Sequence, residues 1–149
     1  MLRISWIALM IVASLLSIQA RADDKVLGFI KIVSGEASIQ SETEVLPAQP
    51  GMPLYLGNIL KTGENGSVGL TFKDNTVMSL GPNTEVTIDE YLYSPANDEL
   101  KLSASLIQGT LHYISGVIAK LKPEAVSVKT PAGIIGVRGT RFLAKVEGN

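Results

Sequence analysis

Apolar and polar residues alternate in short bursts along this chain, and glycine, proline, asparagine and aspartate cut the bursts at close intervals. Residues 26–33 are apolar-rich, turn at Ser34-Gly35-Glu36, and resume as an alternating run over 37–40. Residues 41–51 are polar with two prolines, which predicts a surface loop. Residues 52–60 follow, and Lys61-Thr62-Gly63-Glu64-Asn65-Gly66 is the strongest turn cluster in the chain. Further on, Leu100, Leu102, Ala104 and Leu106 alternate with Lys101, Ser103 and Ser105, as in a strand with one buried face. Gln108-Gly109 is expected to turn that strand back into residues 110–115. Residues 117–122 fit either one helical turn, with Ile118, Leu121 and Lys122 on a shared face, or an irregular connection. Sustained helical periodicity is missing from the rest, so the pattern predicts a single all-β domain.

A small repeat lies in the middle. Val68, Val77 and Val86 are nine residues apart, as are Leu70, Ser79 and Ile88, with turn formers Lys73-Asp74-Asn75 and Gly81-Pro82-Asn83 between them. Six strand residues plus three turn residues fit such a unit. Three units could form an antiparallel meander, the rungs of a small β-coil or roll, or part of a sandwich-like arrangement. The spacing does not choose among these.

The first residues carry a different pattern. Met1-Leu2-Arg3 is a short positive start, residues 7–16 are apolar apart from Ser14, and Ala20-Arg21-Ala22 offers small residues at a cleavage site. This predicts a secretory signal peptide over 1–22, helical before removal, and a β domain over 23–149. A protein exported to the periplasm or secreted is therefore expected. The mature chain would have 127 residues, with eleven basic and fourteen acidic side chains, a net charge of −3. Without a basic block, nucleic acid is not an expected partner. The chain has no cysteine, which rules out disulfides and a lipid-modified cysteine anchor. Such a domain must hold together by apolar packing and backbone pairing, and would meet the membrane only through a partner.

Candidate chemistry is sparse. His112 is the only histidine and sits in a predicted strand, so a histidine or thiolate metal site cannot be built, and no cofactor is expected. Asp89-Glu90 and Asp98-Glu99 are adjacent acid pairs. Consecutive strand residues point to opposite faces, so Asp89 and Glu90 are poorly placed to share a substrate. Asp98 and Glu99 fall in a loop. Tyr91 and Tyr93 lie on one face of an extended segment and either cover the core edge or offer a contact surface.

The most shaped stretch is the last. Residues 126–142 read VSVKTPAGIIGVRGTRF. Thr130 precedes Pro131 and should be extended. Gly133, Gly136 and Gly139 recur every three residues, a spacing suited to positive φ or close backbone approach. Ile134, Ile135 and Val137 between them suggest a bend against the core. Arg138 in apolar surroundings would need carboxylate or carbonyl acceptors, with Asp74, Asp89 and Glu90 as candidates. It is read as a structural tether or, alternatively, as a recognition residue for an anionic ligand or a partner carboxylate. Arg141 is expected to face solvent and to be the better contact residue.

Several motifs together resemble the FecR domain. Gly57-Asn58-Ile59-Leu60-Lys61-Thr62-Gly63 is similar to its early element, with Asn58 where an aspartate is usual. Phe72-Lys73-Asp74-Asn75-Thr76 is similar to its F-x-D-G-T turn, with Asn75 for glycine. Leu80-Gly81-Pro82-Asn83-Thr84 and Gly109-Thr110-Leu111 resemble further steps, and residues 128–142 resemble the closing V-x-T-P…G-x-R-G-T-x-F signature. The signature residues here are Thr130, Pro131, Gly136, Arg138, Gly139, Thr140 and Phe142. The resemblance implies a domain like that of the regulators that name the family, which lies in the periplasm beyond one membrane helix and relays ligand status from an outer-membrane transporter to a cytoplasmic sigma factor. This chain lacks the cytoplasmic segment of the regulators that name the family, so a free-standing module is expected.

Together these readings predict a non-enzymatic sensing or binding module whose partner is a protein or an envelope polymer. Arg141, Tyr91 and Tyr93 are its candidate contacts, and its oligomeric state is open. The alternative is a structural envelope protein that binds glycan or assembles by sheet augmentation. A carbohydrate-cleaving enzyme using a carboxylate pair is the third reading. With the sequence reaching only Asn149 soon after its last strand begins, a missing terminal strand would leave an unpaired edge open to a partner.

Overall fold

The computed structural model describes residues 25–148, so the expected leader lies outside the described residues. Twelve strands follow in order: β1 (Gly28–Ser34), β2 (Ala37–Gln40), β3 (Val45–Pro47), β4 (Pro53–Leu54), β5 (Ile59–Thr62), β6 (Ser67–Phe72), β7 (Val77–Leu80), β8 (Glu85–Ser94), β9 (Glu99–Ile114), β10 (Val126–Thr130), β11 (Gly133–Gly136) and β12 (Arg141–Val146). One short helix, α1 (Val117–Leu121), lies between β9 and β10. The fold is all-β, as the alternation predicts.

The strands form one continuous sheet in the order β3-β2-β5-β8-β9-β7-β6-β1-β4, curled into a half-barrel. Its hinge is β9. The first half of this strand pairs with β8 and, in parallel, with β10. Its second half pairs with β7 and β12. The two wings therefore share one strand. The bend falls at Gly109, whose φ of +94° suits glycine. A side chain there would also collide with the Thr84 hydroxyl and backbone. The sequence reading took Gln108-Gly109 for a reversing turn. The structure corrects this: both hydrogen-bonding edges of the second half are taken up by β7 and β12, so the strand continues and only its buried phase shifts, from Leu106 to Leu111 and Tyr113.

Three other sheet changes stack beside Gly109. The chain crosses between wings at the turns joining β1 to β2, β5 to β6 and β7 to β8. Backbone bonds stitch these corners together: Gly63 N–H donates to Glu36 at 2.8 Å, Asn83 N–H to Gly63 at 3.0 Å, and Gly81 N–H to Thr110 at 3.0 Å. Two buried threonines finish the seam. The Thr62 hydroxyl donates to the Gly81 carbonyl at 2.6 Å and accepts from Thr84 N–H at 2.9 Å. The Thr84 hydroxyl accepts from Thr110 N–H at 2.9 Å. Such corners satisfy backbone groups that a sharp sheet change would otherwise strand in the interior.

The nine-residue repeat is not a set of equivalent rungs. β6 and β7 form a hairpin in which Val68 faces Leu80 and Leu70 faces Met78. All four are buried, whereas Val77 and Ser79 are only half-buried on the outer face. β8 then crosses to the other wing, where Val86 and Ile88 point inward. Nine is an odd number of residues, so an unchanged repeat would reverse the buried face unless a corner intervenes. One core fills the half-barrel, with Ile30, Leu54, Leu60, Leu70, Met78, Ile88, Leu102, Leu106, Leu111 and Tyr113 fully buried. Each such side chain contributes about 1.5–3 kcal/mol by leaving water. In α1, Ile118 and Ala119 are buried and Leu121 is exposed, so the apolar face of that helix is narrower than the sequence reading expected.

Candidate functional site

The acid with the most partners is Asp74, expected from the sequence as a turn former and as a possible mate for Arg138. Asp74 lies in the β6–β7 turn and is fully buried. One carboxylate oxygen accepts from the Thr76 hydroxyl at 2.7 Å and from Ile118 N–H at 3.1 Å. The other accepts from the Tyr91 hydroxyl at 3.0 Å and from Thr76 N–H at 3.3 Å. The Asp74 carbonyl accepts from Val117 N–H at 2.8 Å. One residue thus joins a turn, the first residues of α1 and strand β8. Asn75 takes the left-handed conformation, φ 67°, that lets the turn close, which accounts for asparagine at a position where glycine is usual. Phe72 stacks on Tyr91 with ring centroids 5.4 Å apart. Burial and the neighbouring Asp74 charge push the Tyr91 phenol well above the usual tyrosine range, which keeps it a donor. Four donors occupy the carboxylate, so the cluster is built to hold elements together.

The other sequence candidates do not converge. Asp89 is the extra residue of a β-bulge between Ile88 and Glu90, and its carboxylate accepts from the Ser105 hydroxyl at 2.5 Å. Glu90 is exposed beside Lys101 at 3.7 Å. The bulge breaks the strict alternation on which the face argument rested, and the two acids are separated by their different partners. Asp98 ends a short 3-10 turn in the left-handed region, φ 54°, and Glu99 opens β9 on the surface. His112 is half-buried on the outer side of β9, between Ser79 and Leu143 on neighbouring strands. Among the described residues no three metal-ligating side chains gather. Tyr91 and Tyr93 part company: the first is held by Asp74 and Phe72, and the second is exposed.

The closing signature forms β10, β11 and β12, which add to the free sides of β9 and leave β11 and β12 as edge strands, as β3 and β4 are at the ends of the main path. β10 runs beside β9 and returns as β11 through a turn at Pro131-Ala132. The Thr130 hydroxyl fastens that turn, donating to the Gly133 carbonyl at 2.9 Å and accepting from Ala132 N–H at 3.3 Å. The expected bend against the core is not there. Ile134 is 70% exposed, Ile135 is half-buried, and of the three apolar residues only Val137 is buried. Gly133 and Gly139 have positive φ, 149° and 91°, whereas Gly136 does not, and no atom lies where a side chain at any of the three would sit. The glycines serve backbone shape at two positions and close packing at none.

Arg138 is the clearest correction. It is exposed, and neither Asp74, Asp89 nor Glu90 meets it. The loop swings outward after Val137, so its guanidinium reaches water and needs no buried counter-ion. The tie is made instead by Ser115, whose hydroxyl donates to the Gly139 carbonyl at 3.1 Å and whose N–H donates to Thr140 at 2.8 Å. Phe142 stacks on Tyr113 at 4.9 Å and seats β12. Arg141, Leu143 and Lys145 all point outward from β12, so Arg141 faces solvent as expected.

Charge divides along the same line. Residues 126–146 carry Lys129, Arg138, Arg141 and Lys145 and no acid, a net +4. Residues 25–125 carry seven basic and eleven acidic side chains, a net −4. The two ion pairs among the described residues, Lys61–Glu85 and Lys101–Glu90, both lie in the acidic part. A family model described as FecR protein matches residues 58–149, from the start of the β5 segment onward. No curated protein and no solved structure matches the chain.

Proposed function

The chain belongs to the FecR family, and from that premise we propose that it is a non-enzymatic sensing or binding module, acting in the periplasm by contact with a partner protein or an envelope ligand. The observation that carries this reading is the exposed C-terminal edge, where Arg138, Arg141 and Lys145 all reach solvent and Glu147 is the one acid within residues 126–148. The carboxylates supply further support. Asp74 is occupied by four donors, Asp89 by Ser105, and Glu90 lies in water beside Lys101. A general acid or base must reach substrate and have a neighbour that tunes it; Asp74 and Asp89 are engaged as cross-links, and Glu90 has an exposed lysine beside it. In-cell crosslinking of the exported protein tests the reading. Recovery of a transporter or membrane regulator supports it. Recovery of peptidoglycan or polysaccharide alone favours the structural, glycan-binding alternative over sensing. Polysaccharide turnover by purified protein that is lost on Asp89→Asn or Glu90→Gln overturns the non-enzymatic reading.

A further inference from the structure

We propose that the outer edge of β12 is a strand-acceptor site for an extended, acidic segment of a partner protein. This rests on the reading of the chain as a contact module and names the surface and the chemistry of its partner.

The backbone supplies the first argument. Ser115 N–H donates to the Thr140 carbonyl, so 140 and 115 form a hydrogen-bonded pair of the β9–β12 ladder. Antiparallel pairs alternate, which makes Phe142–Tyr113 and Ala144–Leu111 bonded pairs as well. Arg141, Leu143 and Lys145 are the non-bonded positions, and their N–H and C=O groups point away from β9. On that side β12 has no strand partner among the described residues. Three consecutive outward pairs of donor and acceptor form a usable template.

Side chains give the second argument. Arg141, Leu143 and Lys145 are exposed on the outer face, Leu143 at 68%. They read cationic, apolar, cationic at two-residue spacing. Phe142, Ala144 and Val146 point to the other face. A shallow, mainly apolar groove runs between β12 and the β10–β11 turn, lined by Pro131, Ile134, Ile135, Ala144 and Val146, with Lys145 and Glu147 the charged residues beside them. A strand laid along β12 would place its residues opposite Phe142 and Ala144 over this apolar groove. Its residues opposite Arg141 and Lys145 would stand on the cationic face. The complementary pattern is acid, three apolar residues, acid, and it reads the same in either strand direction.

The same charges argue against a second copy as occupant. Antiparallel pairing of two β12 edges about Leu143 sets Arg141 against Lys145 twice, a destabilising cross-strand arrangement. The edge rejects its own kind and matches an acidic strand.

The probe is a capped peptide containing Glu-Val-Val-Val-Glu, titrated into isotope-labelled protein. Binding should slow hydrogen exchange at the amides of Arg141 and Leu143 and Lys145, and leave Phe142 and Ala144, already bonded to β9, unchanged. Arg141→Glu with Lys145→Glu should weaken the peptide roughly tenfold and admit its Lys-Val-Val-Val-Lys counterpart. Leu143→Pro removes one outward N–H without touching the β9 ladder, and should abolish binding with an unchanged melt. The proposal is overturned if the peptide does not bind, if Leu143→Pro leaves binding intact, or if a proline-interrupted peptide or an anionic polysaccharide binds equally well. A partner crosslinked in cells to another face would sink this site and leave the contact-module reading standing.

Discussion

The acidic body of the molecule, β1 to β9, and its basic C-terminal edge, β10 to β12, are built on different terms. The body carries most of the buried side chains and three networks that leave few polar groups unpaired: the corner seam, the Asp74 cluster and the Asp89–Ser105 bond. The edge presents Ile134, Arg138, Arg141, Leu143 and Lys145 to solvent and is tied down by Ser115, Phe142 and Val137. Yet the family match, over residues 58–149, spans both regions. A shared motif therefore mixes residues that hold the fold with residues that the fold displays, and only burial and partners separate the two kinds.

That contrast can be broken most forcefully at Asp74. Asp74→Ala removes the acceptor for Tyr91, Thr76 and Ile118 in a site without water access, and should cost about 3–5 kcal/mol. Urea denaturation measures it. A loss below about 1 kcal/mol would show that the body does not depend on this cross-link.

At the boundary between the regions, Ser115→Ala should cost about 1–2 kcal/mol, because it frees the Gly139 carbonyl and loosens β12. Arg138→Ala should stay within about 0.5 kcal/mol, since the side chain is exposed and has no ion-pair partner among the described residues. Thermal melts of the two variants side by side sharpen the comparison. The opposite order would restore the tether role that the sequence suggested for Arg138.

The smallest effect concerns Tyr113, whose buried hydroxyl has no hydrogen-bond partner among the described residues. Tyr113→Phe should be neutral or slightly stabilising at neutral pH. Its effect appears in alkali. Burial pushes the phenols of Tyr113 and Tyr91 up, so the folded state keeps protons that the unfolded chain releases above its usual tyrosine value of about 10. Stability is then full below that pH and falls as pH rises further. Tyr113→Phe should make the fall shallower in pH-dependent denaturation. An unchanged slope would place the alkaline loss elsewhere.

Much of the body was legible in the sequence. Strict alternation in residues 100–106 and the turn clusters near 63–66 and 81–84 locate strands and corners, because local pattern sets them. Gly109 was visible as a break but not as a bend. Whether glycine ends a strand or folds it depends on β7 and β12 arriving on its far half, which is long-range information. Asp74 was hidden for the same reason, since its bond to Ile118 spans 44 residues. Only Asp-Asn-Thr in a turn signals it, through a side chain that can bond two residues on. At the edge the error ran the other way. Apolar Ile134 and Ile135 suggested burial, but at the margin of a sheet an apolar residue has no layer above it to pack against.

Sharing β9 between both wings also has a kinetic consequence. This strand is the partner of β7, β8, β10 and β12, so until residues 99–114 are in place neither wing can complete its hydrogen bonding. Most of these pairings are distant in sequence, which favours slow folding and a barrier set by one late docking event. The two wings should then appear together in a single exponential phase, and the amides of β9 should be the last in the protein to exchange with solvent.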